Sequence, residues 1–365
     1  MIRVLQGFGR MDCGGAETMI MNIYRNIDRS KVQFDFVVHT SDKCDFDDEI
    51  KSLGGRIFSV PRFNLKNALF YKSAWRKLLS KHPEWKMIHG HIMSVASIYL
   101  TIAKNFGLVT ISHSHIAGKT QGIKSMVRDV LQKQLTADYY MACSNSAGEW
   151  LFGDRIVNNK HYYILPNAIN VDKFRYNPEC REQKRKELGL TNEVLIGHIG
   201  RFQNQKNHLY LIEVFNKFVK RINNSKLLLV GRGELEEQVK KRVNELGIQD
   251  KVIFAGVRFD VNELIQAMDV FVFPSLFEGL GIVLIEAQTS GLPCVMSDTV
   301  PKEAILIEDL VTVMKLNQSA DEWADHIISR LGEKRYSRIE EVKAKGYDIA
   351  DTSKWLEDFY LEHSR

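Results

Sequence analysis

The stretch FEGLGIVLIEAQTSG, Phe277 to Gly291, decides the fold of the second half of this chain. It follows MDVFVFPSL, Met268 to Leu276, an apolar, aromatic and β-branched run that predicts a buried strand. Gly279 and Gly281 predict a turn from this strand into a helix. Such a turn forms an anion site, because unpaired backbone N–H groups and the helix dipole face the same point.

Two glutamates lie eight positions apart in this stretch. Glu278 is predicted at the mouth of the turn and Glu286 about two turns into the helix, where an apolar residue would be expected. A carboxylate repels phosphate, but it accepts hydrogen bonds from sugar hydroxyl groups. Phosphate and sugar recognition together indicate a nucleotide-sugar.

Predicted strands and helices alternate along both halves, which indicates mostly parallel sheets covered by helices on both faces. We predict two doubly wound α/β domains, residues 1–170 and 171–346, joined by a polar stretch from Pro166 to Lys186. The first half includes a basic helix within Arg62 to His82 and a long helix near Ile123 to Leu135.

The global features fit a cytoplasmic enzyme. The 365 residues are enough for two or three domains, and the five scattered cysteines indicate reduced thiols without a metal-binding spacing. We expect no signal peptide, since the chain starts directly with a strand-like segment. The longest nearly uncharged apolar stretch, around Ile92 to Ala103, is too short to span a bilayer.

Basic residues concentrate in the first half. Between Ile50 and Arg128 the only acidic residue is Glu84, against 13 lysines and arginines. Mixed basic and apolar residues within Arg62 to His82 suit a helix on an anionic membrane, or an ordinary amphipathic helix with a solvated basic face. Nucleic acid is not expected as a partner, because no binding motif accompanies the charge. The basic residues predicted to contact acceptor or membrane are Lys66, Lys72, Arg76 and Lys77.

Open parallel sheets bind ligands at the carboxyl ends of their strands, and each half of the chain has a candidate binding segment at such a predicted strand end. In the first half, Gly14 and Gly15 open a helix and would let backbone approach a diphosphate. Asp12 takes the place of the third glycine of a dinucleotide fingerprint, so a nicotinamide enzyme is disfavoured. In the second half, Arg201 and Lys206 follow a strand and could neutralise a leaving diphosphate.

These segments resemble the retaining glycosyltransferases of family 4, which have the two-domain GT-B architecture. Glu278 to Glu286 is similar to the E-x7-E signature of that family, and Gly200 to Lys206 to its G-R-x4-K element. The glycine loop and the segment Ala142 to Gly153 are most similar to bacterial capsule and exopolysaccharide transferases. The resemblance covers nearly the whole chain.

The resemblance implies two Rossmann-like domains facing each other across a cleft, with a helix at about 347–365 returning to the first domain. The second domain would bind the donor and the first the acceptor. Arg201 and Lys206 would contact the diphosphate, Glu278 the sugar hydroxyls and Glu286 the ribose. Backbone contacts to sugar and phosphate would come from Gly279, Leu280 and Gly281, with Gly15 capping the diphosphate.

Two H-x-H pairs follow neighbouring predicted strands. We expect no metal site, on the argument that alternating strand residues point to opposite faces. By the resemblance, His115 would lie beside the reacting sugar, and His91 is placed on the acceptor side. Hydrogen bonds that only fix loop ends are the alternative role for all four histidines.

The predicted reaction moves a hexose or N-acetylhexosamine from a nucleotide-diphosphate sugar, with UDP as the expected nucleotide, to a lipid-linked saccharide. We predict that the reaction retains the anomeric configuration and needs no metal or other cofactor. We also predict peripheral contact with the inner face of an anionic plasma membrane. A sugar-nucleotide epimerase on the same fold and a non-catalytic membrane- or sugar-binding subunit stay as alternatives. Donor loss without an acceptor would favour the epimerase.

Overall fold

The computed structural model describes residues 1–115 and 136–364 of the chain. These residues form two units: Met1–Ile169 with Asp348–Arg365, and Asn170–Tyr347. The long helix predicted near Ile123 to Leu135 lies outside the described residues. Each unit contains one parallel sheet with helices against it, as predicted from the alternation of strands and helices.

The sheet of the first unit has seven strands in the order β3-β2-β1-β4-β5-β6-β7, and every neighbouring pair is parallel. Its strands are β1 Ile2–Phe8, β2 Val32–Val38, β3 Ile57–Ser59, β4 Trp85–Gly90, β5 Val109–Ser114, β6 Tyr139–Ala142 and β7 Tyr162–Ile164. Side chains of β1 pack into two different hydrophobic cores, one on each face of the sheet. Val4 and Phe8 belong to one core and Leu5 belongs to the other. The sheet is therefore apolar on both faces.

Helices cover both faces of this sheet. Those described before the chain leaves the unit are α1 Gly15–Asn26, α2 Asp47–Ser52, α3 Ala68–Lys81, α4 Ala96–Asn105, α5 Asn145–Phe152 and α6 Asp154–Val157. In α1, Ile20, Ile23 and Tyr24 are buried at helical spacing. In α3, Tyr71, Trp75 and Leu79 repeat every four residues and are buried in the same way. The basic helix predicted within Arg62 to His82 is therefore amphipathic, with an inner apolar face.

The second unit has a six-stranded parallel sheet in the order β10-β9-β8-β11-β12-β13. Its strands are β8 Val194–Ile199, β9 Ser225–Val230, β10 Val252–Phe254, β11 Val270–Phe273, β12 Cys294–Ser297 and β13 Val311–Met314. Its helices are α7 Pro178–Glu187, α8 His208–Val219, α9 Glu236–Glu245, α10 Val261–Ala267, α11 Ile282–Thr289, α12 Ala320–Ser329 and α13 Ile339–Ala344.

In both sheets the strand order reverses beside the first strand, between β1 and β4 and between β8 and β11. Loops leaving the carboxyl ends of two such strands diverge and leave a crevice between them, which is where doubly wound sheets bind ligands. Both candidate binding segments follow one of these strands.

The chain returns to the first unit through α14, Ile349–His363, which confirms the predicted helix at about 347–365. Leu356 and Tyr360 are fully buried against α1 and the sheet. The Glu357 carboxylate accepts a hydrogen bond from the backbone N–H of Asp28 at 3.0 Å. The last helix is thus part of the core of the first unit.

The prediction of a polar joint from Pro166 to Lys186 was wrong in its second half, because Pro178–Glu187 is the helix α7. Asn177 caps α7, Pro178 occupies its first turn, and the helix packs against α10. The buried ammonium group of Lys184 pairs with Glu187, Asp260 and Glu263. A helix held by ion pairs has no apolar periodicity to reveal it in the sequence.

Candidate functional site

The loop after β11 and the turn after β8 meet at an ion pair. The Lys206 ammonium lies 2.6 Å from Oε1 of Glu278, and it sits 4.5 Å from the centre of the Phe273 ring. Glu278 is 6% exposed and the Lys206 side chain 17%. The structure therefore joins the residue predicted for the diphosphate to the residue predicted for the sugar.

Two neighbours of Lys206, which sequence reasoning missed, hold the loop in place. The Gln205 side-chain amide donates to the Phe277 carbonyl at 3.0 Å and to the Glu278 carboxylate at 3.2 Å. Asn207, in the left-handed region with φ 56°, donates to the Pro274 carbonyl at 3.2 Å. Polar residues flank Lys206 in the sequence, but only the fold shows which of them reach the other loop.

Arg201 lies two residues after the end of β8, and Gly279, Leu280 and Gly281 form the entry to α11. Gly281 has φ 85°, and an added Cβ would lie 3.0 Å from the Phe273 ring. A side chain at this position would thus be strained by both the backbone and the aromatic ring. The glycine keeps the amino end of α11 close to the Lys206–Glu278 pair.

Glu286 is the fifth residue of α11, so it lies about one turn from the start of the helix rather than the predicted two. Its carboxyl group is buried and forms no hydrogen bond or ion pair with the described residues. Burial raises the pKa of Glu286 from its usual value near 4.5 to about 8. At neutral pH the group is therefore mostly protonated and can donate as well as accept a hydrogen bond.

In the first unit, Gly14 precedes α1 and Gly15 is its first residue. A Cβ built on Gly15 would have no neighbour within 4 Å among the residues that the structure describes, so none of these explains the absence of a side chain. The loop before the helix is fixed by Asp45, whose carboxylate accepts from the Cys13 backbone N–H at 2.9 Å.

The four histidines lie together at the carboxyl ends of β4 and β5. His89 and His113 belong to these strands, and His91 and His115 follow them. The argument that each pair points apart was wrong, because residues two apart on a strand share a face. Ring nitrogens of His89, His91 and His113 lie within 4.8 Å of one another, so the geometry allows a metal ion. The prediction of a metal-free reaction must therefore rest on other residues.

The basic residues predicted to contact acceptor or membrane, Lys66 just before α3 and the other three on it, are directed away from the core. Lys66, Arg76 and Lys77 are exposed, and Lys72 is partly exposed. Three large apolar residues lie among them, Leu65, Leu69 and Phe70, which are 73%, 84% and 66% exposed. Among the described helices, none combines the length and the apolar character needed to cross a bilayer.

Two family models together match nearly the whole chain. The model described as Glycosyltransferase Family 4 matches residues 13–173, and the one described as Glycosyl transferases group 1 matches residues 180–345. The chain is 34% identical over 356 residues to EpsF of Bacillus subtilis (strain 168), a protein assigned to the glycosyltransferases, covering 95% of this chain and 93% of EpsF. It is 23% identical over 373 residues to the capsular polysaccharide biosynthesis glycosyltransferase CapH of Staphylococcus aureus, covering 99% of each.

Among solved structures, Anabaena HepE in complex with UDP and glucose superposes with a TM-score of 0.81 at 17% sequence identity. The superposition covers 99% of this chain and all of HepE. Its fold and the two parallel sheets described above are those of the GT-B architecture. By these family models and relatives, the chain belongs to the family 4 glycosyltransferases.

Proposed function

We propose that the protein transfers a hexose or an N-acetylhexosamine from a UDP-sugar to a lipid-linked saccharide, with retention, in the synthesis of a surface polysaccharide. The observation that carries this proposal is the Lys206–Glu278 ion pair at the amino end of α11, one turn before the buried Glu286. The group offers a cation for a diphosphate and two carboxyl groups for hydroxyls.

The reaction breaks the bond between the anomeric carbon and a diphosphate oxygen and forms a bond from that carbon to the acceptor oxygen. The acceptor proton passes to the leaving diphosphate, on the same face of the sugar that the acceptor attacks. Arg201, Lys206 and the amino end of α11 stabilise the negative charge that develops on the diphosphate. Because these groups supply positive charge, the proposed reaction needs no metal ion.

Glu278 is proposed to accept hydrogen bonds from donor-sugar hydroxyls, and Glu286 to bind the ribose. A buried carboxyl group with a raised pKa is suited to binding a diol. In its protonated form it donates one hydrogen bond, and once ionised it accepts a hydrogen bond from each of the two hydroxyl groups. UDP is the proposed nucleotide because the similar HepE structure holds UDP and glucose. The roles of Gly14 and Gly15 at the diphosphate, and of His91 and His115 near the acceptor and the reacting sugar, stay predictions.

The lipid-linked acceptor is supported by the outer face of α3. On this helix Leu69 and Arg76 lie two turns apart on one side, as do Phe70 and Lys77, with Lys66 one turn before them. Apolar side chains flanked by bases bind anionic membranes through both burial and charge. An enzyme whose acceptor is embedded in a membrane needs such a surface, and CapH indicates a capsule-type product.

The proposal is tested by adding nucleotide diphosphates and their sugars to purified protein and measuring thermal stability with magnesium or with EDTA. A ligand at a hundred times its Kd should stabilise the protein by about 2.7 kcal/mol. We expect stabilisation by UDP in EDTA, its loss in Lys206→Ala, and its retention in the control Lys241→Ala, which changes an exposed lysine of the same unit.

Transfer itself is measured with the stabilising donor and lipid-linked saccharides in vesicles, with the anomeric configuration of the product determined by NMR. An inverted product would contradict retention, and donor consumption without an acceptor would favour the epimerase. If no nucleotide stabilises the protein, the proposed donor site is wrong.

A further inference from the structure

The four histidines at the ends of β4 and β5 form a continuous hydrogen-bonded cluster around Gln6 of β1, in which His89, His91 and His113 are buried and His115 is partly exposed. Neighbouring rings stack or tilt against each other, with centres 4.3 Å apart for His89 and His91 and 3.9 Å for His113 and His115. Burial lowers the pKa of every one of them, that of His115 to about 3. Each ring is therefore neutral and carries one N–H and one lone pair.

Two chains of hydrogen bonds, here called branches, start at the Gln6 amide and run through the histidines. The first branch starts at the amide oxygen. Oε1 is 3.0 Å from Nε2 of His91, so this nitrogen must carry the proton and donate. The other nitrogen of His91, Nδ1, is then an acceptor, and it lies 2.7 Å from Nε2 of His115. His115 must in turn be protonated at Nε2, which leaves a lone pair on its Nδ1.

The second branch starts at the nitrogen of the same amide. Nε2 of Gln6 donates to the Tyr360 hydroxyl at 3.3 Å, and that hydroxyl donates to Nδ1 of His89 at 2.6 Å. His89 is then protonated at Nε2 and donates to Nδ1 of His113 at 3.1 Å. His113 is left with an N–H on Nε2.

Both branches end at atoms without a partner among the described residues. Nε2 of His113 and Nδ1 of His115 are buried and form no hydrogen bond there. One amide thus sets opposite roles at the two ends, a donor at His113 and an acceptor at His115. A half-turn of the Gln6 amide would reverse every bond in both branches together.

We propose that Gln6 is a positioning residue that fixes all four histidines in one shared tautomer, protonated at Nε2, and so presents the Nδ1 lone pair of His115 as a hydrogen-bond acceptor. The chemical class it accepts from is a hydroxyl group. That the hydroxyl belongs to a sugar rests on the proposed function, whereas the tautomer does not.

The tautomers are read from 15N NMR spectra of the substrate-free protein labelled in histidine, with each signal assigned by single substitution. We expect all four rings protonated at Nε2, and a scalar coupling across the His115–His91 N–H···N bond. A mixture of tautomers, protonation at Nδ1, or charged rings near pH 7 would overturn the proposal. So would one equivalent of zinc bound by the cluster, because the metal would take the lone pairs that the branches use.

Two variants test the two branches independently of each other. Gln6→Met keeps the size of the side chain and removes both polar groups, so His91 and His115 should lose their fixed tautomer. Tyr360→Phe should alter the signals of His89 and His113 and leave those of His91 and His115 unchanged. An unchanged His115 in Gln6→Met would overturn the role of Gln6.

If Gln6→Met does not fold, the wild-type spectrum and the coupling across the His115–His91 bond decide the matter. The spectra also keep the two proposals apart. The expected tautomers in a protein that transfers no sugar would refute the proposed function and leave the role of Gln6 intact.

Discussion

At the scale of single residues, the proposed role of Glu286 in ribose binding predicts that donor binding depends on pH. Its pKa of about 8 means that the free protein holds a proton there at pH 7. In the proposed site the ribose hydroxyls donate to the ionised group, so binding of UDP would release this proton. The affinity for UDP should therefore rise with pH, by up to about tenfold per unit below pH 8, and level off above it.

Titration calorimetry between pH 6 and 9 checks this expectation. Glu286→Gln is the matched control, because it keeps the shape and cannot ionise, and it also corrects for protonation of UDP itself. Equal pH profiles for the two proteins would show that Glu286 does not ionise on binding.

The Lys206–Glu278 pair predicts opposite effects for its two members. In the proposed site, Glu278 competes with the diphosphate for Lys206, so Glu278→Gln should bind UDP as tightly or more tightly. The transfer rate should still fall, by about 10²-fold or more if Glu278 supports the transition state. Lys206→Met should weaken UDP binding and leave the buried Glu278 carboxylate without its cation, with only the hydrogen bond from Gln205 among the described residues. Calorimetry and transfer rates measured on both variants decide this, and weaker UDP binding by Glu278→Gln would contradict it.

At the scale of secondary structure elements, α14 is a structural part of the first unit. Leu356 is fully buried between this helix and the sheet, so Leu356→Ala should lower the free energy of unfolding by about 2–5 kcal/mol. Leu361 lies on the same helix with 36% of its surface exposed, and Leu361→Ala should change stability by about 0.5 kcal/mol or less. Urea unfolding of the two variants measures the difference. Equal effects would show that α14 does not belong to the core.

The outer face of α3 predicts membrane binding. Replacing Arg76 and Lys77 by alanine removes two charges worth about 1 kcal/mol each near an anionic surface, a loss of about 30-fold in affinity for anionic vesicles. Leu69→Ser with Phe70→Ser should also weaken binding, while Lys241→Ala should not. Vesicle sedimentation measures this, and equal binding to neutral vesicles would exclude the charge contribution.

At the scale of the whole molecule, buried histidines are expected to make the two units lose stability to different extents at acidic pH. Burial lowers the pKa of five histidines in the first unit, His39, His89, His91, His113 and His115, and of two in the second, His198 and His208. Below pH 6.5 the unfolded chain binds protons that the folded units do not. Each such histidine therefore removes up to about 1.4 kcal/mol of stability per pH unit as the pH falls.

The first unit should thus lose stability more steeply than the second between pH 7 and 5. Urea unfolding followed by 19F NMR of fluorotryptophan resolves the units, because Trp323 lies in the second and Trp75 and Trp85 are buried in the first. Parallel loss of stability in both units would contradict the expectation.

The sequence alone was enough to predict both doubly wound sheets, because apolar periodicity and glycine-rich turns are local properties of the chain. The return of the last helix to the first unit was predicted from the family resemblance, because no local pattern shows which unit a helix packs against. The sequence also predicted the loop from Glu278 to Gly281, since that loop is set by the residues on either side of it. The helix α7 escaped prediction, because its stability comes from ion pairs with distant residues such as Asp260.

Only the tertiary structure decided which distant residues touch. Lys206 and Glu278 are 72 positions apart, and the neighbouring strands β8 and β11 bring them together. Gln6 and Tyr360 are 354 positions apart, and the packing of α14 on the first sheet brings them together. The raised pKa of Glu286 and the neutral histidines follow from burial, which depends on the whole fold rather than on neighbouring residues. The sequence thus determined the elements and the candidate residues, and the packing of the sheets determined their charge states and hydrogen-bond partners.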